Sequence, residues 1–162
     1  MDKKNEDAIY AKIPSQITVY ILFLDTNNAF YHRLMKRGFH HVSIAIQGPV
    51  HDDQPDMLIM DTSEKTLSCY WCRRDDWLSK LEAIKQAGEG TYVKVTRYVS
   101  VNNSPFLPFK LIAGCSSIGA YAAGLKHLFM TPYGLYTSLV ELSKDRLKMK
   151  AHGILDISIA GD

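Results

Sequence analysis

Short apolar runs, either alternating with polar residues or rich in β-branched and aromatic side chains, mark the strands of this chain. Residues 17–25 (ITVYILFLD) form a continuous apolar run, which predicts a central strand. Residues 41–47 (HVSIAIQ) and 91–101 (TYVKVTRYVSV) alternate, so each predicts a strand with two unlike faces. Residues 57–61 and 66–72 add two short strands. Short connections between neighbouring strands predict an antiparallel meander.

Apolar residues at helical spacing predict the helices. Residues 29–36 form a short helical segment that ends at Gly38, and residues 76–87 follow Asp75, which we expect to cap them. Residues 115–129 are nearly uncharged and contain several glycines and alanines. Such small residues predict a helix packed closely against the sheet, although each glycine costs roughly 1 kcal/mol of helix propensity.

The last helix is predicted from Thr131, as its cap, through Leu142, with a proline at its first position. The tail, residues 144–162, begins with basic residues and ends in an apolar stretch, residues 154–160, that is typical of an edge strand. The fold class expected from this order is α+β, an antiparallel sheet packed against helices. We expect a single domain with residues 1–15 and 144–162 as peripheral terminal segments.

Composition narrows the class of protein. A chain of 162 residues with 46% apolar content can bury one core without metal or disulfide support, and its three cysteines do not suggest a disulfide framework. The formal charge of +2 comes from scattered residues, which does not favour nucleic acid as a partner. No apolar run approaches the roughly 20 residues of a transmembrane segment. Residues 1–7 are too polar for a signal peptide, so we expect a cytoplasmic protein.

The most specific chemical feature is Cys115. A loop with two prolines and then Gly114 lead directly into the predicted helix, which places this thiol at a helix N-terminus. The peptide dipoles there favour a negative charge, so they can lower the pKa of a cysteine below its usual value of about 8.5. The amide of Cys115 is also a candidate donor to an oxyanion.

His41 and Asp61 are the candidate partners of this thiol. If residues 48–56 join two antiparallel strands and Gln47 pairs with Pro55, then His41 lies opposite Asp61. Directly paired side chains have Cβ atoms about 4.5–5.5 Å apart, close enough for a hydrogen bond. Other registers are open, and a slip by one residue sends Asp61 to the opposite face.

The face of the second strand that holds His41, Ser43 and Ala45 is small and partly polar. We expect the glycine-rich helix to lie against this face and to bring Cys115 within reach of His41. The structural alternative makes Cys115 a small core residue, His41 a residue at the start of a strand and Asp61 a turn residue.

Two other groups invite a chemical interpretation. His40 precedes His41, and on a regular strand it points into the other layer or to solvent. Cys69 and Cys72 have C-x-x-C spacing, but residues three apart on a strand face opposite sides and no second cysteine pair follows. A structural role is therefore favoured for both cysteines. Motifs for nucleotides, zinc peptidases and serine hydrolases do not occur, and no cofactor or metal is expected.

Two motifs resemble the NlpC-type cysteine peptidases, in the circularly permuted, phage-encoded branch of the papain-like superfamily. They are the sequence GFHH at residues 38–41, with the histidine ahead of the cysteine, and TPYGLY at residues 131–136. The resemblance spans residues 17–142 and implies a permuted papain-like fold. It implies that Cys115 is the nucleophile, His41 the base and Asp61 the residue that orients the base.

The resemblance also implies a substrate class. Members act on peptides or amides such as peptidoglycan, and permuted relatives include lipid acyltransferases. The expected function is therefore that of a cysteine-dependent hydrolase or acyl transferase with a peptide-like or acyl substrate. The alternative is a non-catalytic phage virion or assembly protein with viral protein partners, which the aromatic pair Tyr70-Trp71 and the loop at residues 106–109 would suit.

Overall fold

The computed structural model describes residues 16–25, 36–37, 39–48, 56–62, 67–99, 114–125 and 131–160. The helix predicted at residues 29–36 and the loop at residues 106–109 lie outside this part of the chain.

The apolar and alternating runs form a six-stranded sheet in which every neighbouring pair is antiparallel. The spatial order is β4-β3-β2-β1-β5-β6, so the long apolar strand β1 is central and the tail forms an edge, as expected. The strands are β1 (Gln16–Leu24), β2 (His41–Gln47), β3 (Met57–Thr62), β4 (Leu67–Cys72), β5 (Gly90–Tyr98) and β6 (Ile154–Ile159).

Four helices lie in the described part of the chain: α1 (Arg74–Ala87), α2 (Cys115–Ala122), α3 (Pro132–Ser143) and α4 (Arg146–Ala151). The fold is thus α+β, as the sequence predicts. Thr131 caps α3 by accepting a hydrogen bond from the Gly134 amide at 3.1 Å. Asp75, in contrast, lies in the first turn of α1, and Arg73 occupies the capping position.

Helix α2 is shorter than the predicted span of residues 115–129. Gly124 adopts φ 83°, a left-handed conformation that ends a helix and favours glycine. The amides of Gly124 and Leu125 then bond back to the carbonyls of Tyr121 and Ala120, each at 2.9 Å. This hydrogen-bond pattern is that of a Schellman motif, so helix α2 has a defined end.

Alternation along the strands gives the sheet two apolar faces. On one, α1 covers a cluster that includes Ala45 and Ile59 and contributes Trp77 and Leu81 to it. On the other, α2, α3 and α4 cover the larger cluster, with Phe23 and other fully buried side chains of β1 at its centre. The sheet is therefore the middle of three layers.

Residues 146–159 of the tail belong to these layers. Strand β6 pairs with β5, and both Met149 and Ile154 are buried in the larger cluster. No helix among the described residues is long and apolar enough to cross a membrane.

Candidate active site

Strands β2 and β3 bring His41 and Asp61 together, but not in the register that the loop length suggests. Asp61 pairs with Ser43, so the prediction that it lies opposite His41 is wrong by two residues. A shift of two keeps Asp61 on the same face, and diagonal neighbours remain within reach of long side chains. The Nε2 atom of His41 is 2.6 Å from Oδ1 of Asp61.

Helix α2 packs against the opposite face from the one expected. Gly119 lies over Val42 and Ile21, where a Cβ atom would come within 3.1 Å of Val42 Cγ1 and 3.5 Å of Ile21 Cγ2. The small residues of α2 therefore pack against branched side chains and not against the small face that carries Ala45. In close-packed layers, small residues pack against large ones. The small residue Ala45 is accordingly covered by the large side chains of Trp77 and Leu81 on the other face.

Cys115 is the first residue of α2 and is partly buried at the edge of the larger cluster. Its thiol hydrogen-bonds with the ring of His41 and with the backbone amides of Val42 and Ser116. The Val42 amide is available because β3 pairs with β2 only from Ser43 onward, among the residues that the structure describes. Cys115, His41 and Asp61 therefore form one hydrogen-bonded chain.

Opposing influences set the pKa of Cys115. Burial is the largest single influence and raises the pKa, because it penalises the charged thiolate. The hydrogen bonds and the positive charge of His41, together with the Val42 and Ser116 amides, act in the other direction and outweigh burial. The pKa of Cys115 is therefore lowered below the ordinary value of a thiol.

The same contacts raise the pKa of His41. The hydrogen bond with Cys115 raises it most, burial lowers it, and the carboxylate of Asp61 raises it further. Since a carboxylate can only accept, Nε2 carries the hydrogen toward Asp61, which leaves Nδ1 for the thiol. Asp61 thereby fixes the tautomer in which His41 can accept the proton of Cys115.

The beginning of α2 also offers donors to an anion. Gly114, the N-cap residue, has no side chain, and no side-chain cap closes this helix within the described residues. The amide of Cys115 is one of the first-turn donors that intrahelical bonds leave free. These donors lie at the positive end of the helix dipole, next to the sulfur.

A second pair of a histidine and a carboxylate adjoins the first. His40 is buried, with its Nδ1 atom 2.6 Å from Oδ1 of Asp25, directly after β1. Burial excludes the solvent-facing position considered for His40. An aspartate at the end of an apolar strand resembles a turn residue in the sequence, so its pairing becomes apparent only from the β1–β2 register.

Strand β4 borders the site on the outer side of β3. Ser68 pairs with Asp61, and Tyr70 follows it on the same face. The pKa of Tyr70 is raised by burial and then by the charge of Asp61. Cys69 and Cys72 are both free thiols on this strand, and the described residues contain no group of three or more potential ligands that could hold a metal ion.

A cleft of about 600 Å³ lies elsewhere, between α4 and β6. Arg146, Lys150 and Asp156 line it together with Tyr98, and none of the three candidate site residues does. This cleft is therefore separate from the hydrogen-bonded chain of Cys115, His41 and Asp61 at the beginning of β2.

Comparison of the chain with protein-family models, with curated proteins and with solved structures gave no match.

Proposed function

We propose that the protein is a cysteine-dependent hydrolase or acyl transferase with a permuted papain-like fold. The observation that carries this proposal is the position of the His41 ring between the thiol of Cys115 and the carboxylate of Asp61. A nucleophile, a base and a group that orients the base are the three parts that thiol catalysis of acyl transfer requires.

The first half of the reaction forms an acyl-enzyme. The Cys115 thiolate attacks the carbonyl carbon of an amide or ester, and the carbonyl electron pair moves to the oxygen, where the amide of Cys115 stabilises the negative charge. When the carbonyl re-forms, the bond to the leaving group breaks. The leaving group takes the proton that His41 holds, and a thioester remains on Cys115.

The second half regenerates the thiolate. A water molecule, or an acceptor amine or hydroxyl, attacks the thioester and gives its proton to His41. The carbon–sulfur bond then breaks and returns the sulfur as a thiolate beside a protonated imidazole. Water as the acceptor makes the enzyme a hydrolase, and any other acceptor makes it a transferase.

An activated acyl ester, p-nitrophenyl acetate, tests this proposal without knowledge of the natural substrate. We expect an acetyl group on the Cys115 peptide by mass spectrometry, no such adduct in Cys115→Ala, and slower acetylation in His41→Ala. Cys69 is exposed and outside the site, so it serves as the internal reference thiol. Equal acetylation of Cys115 and Cys69 near neutral pH would contradict the proposal.

The alternative function is that of a non-catalytic virion or assembly protein with viral protein partners. The exposed aromatic side chains of edge strand β4 support it, since Tyr70 is 45% and Trp71 56% exposed. It requires no contact between the thiol and the histidine, so the hydrogen bond from Cys115 to His41 favours the enzyme. Binding of a partner that is lost in Trp71→Ser but retained in Cys115→Ala would favour the alternative.

A further inference from the structure

The ends of β1 and β2 are joined beside the site by contacts of Asp25 and His40. Leu24 pairs with His41, and the amide of His40 bonds to the Leu24 carbonyl at 2.9 Å. The amide of Asp25 bonds to the carbonyl of Glu89 at 3.0 Å. Backbone hydrogen bonds thus fix both residues of the pair.

The side chains of this pair add a short, buried contact. His40 Nδ1 and Asp25 Oδ1 are 2.6 Å apart, and the two side chains are only 7% and 18% exposed. A buried carboxylate is costly unless a polar group lies against it, and the imidazole of His40 is such a group for Asp25. Arg37 Nε also lies 3.6 Å from Asp25, but its side chain is 96% exposed, so it adds little to the contact.

The first residues of β2 need a restraint from the contact between His40 and Asp25 because β3 does not pair with them in the described part of the chain. Among the described residues, β3 pairs with β2 from Ser43 onward, whereas His41 and Val42 extend beyond that point. Yet the His41 ring must reach Asp61 and Cys115 together. Strand pairing therefore restrains His41 from the β1 side, through Leu24, and the residue before it adds a second restraint.

We infer that His40 and Asp25 are positioning residues that hold the imidazole of His41 against the thiol of Cys115. This inference rests on the proposed function, since it assigns the pair to the same site. His40 and His41 share a peptide bond, so loss of the His40 to Asp25 contact loosens the backbone that carries the base. A misplacement of about 1 Å can lower an enzymatic rate about a hundredfold.

The rate of iodoacetamide alkylation at Cys115, followed by peptide mass spectrometry across pH, measures this positioning directly. His40→Leu and Asp25→Asn remove the contact, and we expect each to slow alkylation near neutral pH by roughly tenfold. The pH midpoint of alkylation should also move upward, because the thiolate loses its imidazolium partner. His40→Asn restores an N–H donor near the position of Nδ1, so it should restore much of the rate.

Two controls separate positioning from general destabilisation. Arg37→Gln removes the exposed contact to Asp25 and should leave the alkylation profile unchanged. Leu81→Ala lowers stability from the other face of the sheet and should also leave it unchanged. Asp25→Asn is nearly isosteric, so its alkylation profile tests the positioning role even if His40→Leu does not fold.

The outcomes distinguish this inference from the proposed function. If the wild-type Cys115 reacts no faster than Cys69, the proposed function fails. If the wild-type thiol is activated but Asp25→Asn and His40→Leu behave like Leu81→Ala, the positioning role is overturned and the proposed function stands.

Discussion

At the scale of the residue, His41 is the centre of the site because its ring contacts both the carboxylate of Asp61 and the thiol of Cys115. Nε2 meets the carboxylate of Asp61, and the other nitrogen is left for the thiol of Cys115. The sulfur is ionisable at a lower pH only while this arrangement outweighs its burial. The balance between burial, which raises the pKa of Cys115, and its hydrogen bonds, which lower it, predicts the effects of single substitutions.

His41→Ala should raise the pKa of Cys115. The substitution removes a hydrogen bond and a positive charge that stabilise the thiolate, while part of the burial that opposes ionisation remains. We expect the pKa of Cys115 to be higher in this variant than in the wild type. The ultraviolet absorbance of the thiolate, titrated against Cys115→Ala as the blank, measures this pKa. An unchanged midpoint would show that the histidine does not control the thiol.

Asp61→Asn should narrow the pH range of activity from its alkaline side. The active ion pair needs Cys115 ionised and His41 protonated, so the acid limb follows the lowered pKa of the thiol and the alkaline limb the raised pKa of the imidazole. Asp61 helps to raise the pKa of His41, so removing its charge lowers that pKa. The alkaline limb of kcat/KM should therefore move to lower pH.

The pH–rate profile of Ser68→Ala provides the control for Asp61→Asn. Ser68 pairs with Asp61 on the neighbouring strand but carries no charge. A shift of the alkaline limb in both variants would mean that packing, and not the carboxylate charge, sets the profile.

Much of the site could be predicted at this scale. A cysteine after a glycine at the start of a helical run indicates that it lies at a helix N-terminus. The face of Asp61 depended on the assumed register, and the observed shift of two residues leaves Asp61 on the same face as His41. The pairing of Asp61 with Ser43 could not be predicted, since the length of a loop does not determine where strand pairing starts. The Val42 amide had no signal, because backbone donors are the same in every residue.

At the scale of the element, α2 links the candidate site to the core. It presents the thiol at its first residue, and its glycine lets it approach the sheet closely. A Cβ at Gly119 would lie 2.9 Å from Leu135 Cδ2 and 3.1 Å from Val42 Cγ1. At its other end, Arg97 of β5 donates a hydrogen bond from Nε to the Ala122 carbonyl at 2.8 Å, which suits the negative end of a helix dipole.

Gly119→Ala should destabilise the protein although alanine is the better helix former. The propensity gain of about 1 kcal/mol is opposed by overpacking, which typically costs about 1–3 kcal/mol in a filled core. We expect the free energy of unfolding to fall by about 1 kcal/mol, measured by urea denaturation, with slower alkylation of Cys115. A rise in stability would show that Leu135 moves aside without cost.

At the scale of the whole molecule, the sheet separates two helical layers, only one of which contains a residue of the candidate site. Helix α1 covers one face, whereas α2, α3 and α4 cover the other, and α2 carries Cys115. The α+β class and the antiparallel meander were predictable from hydrophobic periods. The face of the sheet against which α2 packs was not predictable. Small residues on a strand and small residues on a helix do not pack on one another when larger partners can fill the space.

Leu81→Ala and Leu135→Ala should separate these layers. Both side chains are almost completely buried, so each truncation should cost about 2–5 kcal/mol of unfolding free energy. Only Leu135 lies against α2, so only Leu135→Ala should change the alkylation profile of Cys115. Equal changes in both variants would contradict the separation.

The order of the site residues along the chain has a consequence for biosynthesis. His41 and Asp61 lie on strands that precede Cys115 by two strands and a helix, so a growing chain completes both residues before it reaches the thiol. The thiol meets them only when α2 docks on a sheet whose first five strands have already been made. If the proposed function holds, a nascent chain carries no activated thiol until this docking, and the appearance of a reactive thiol would report when α2 docks on the sheet during synthesis.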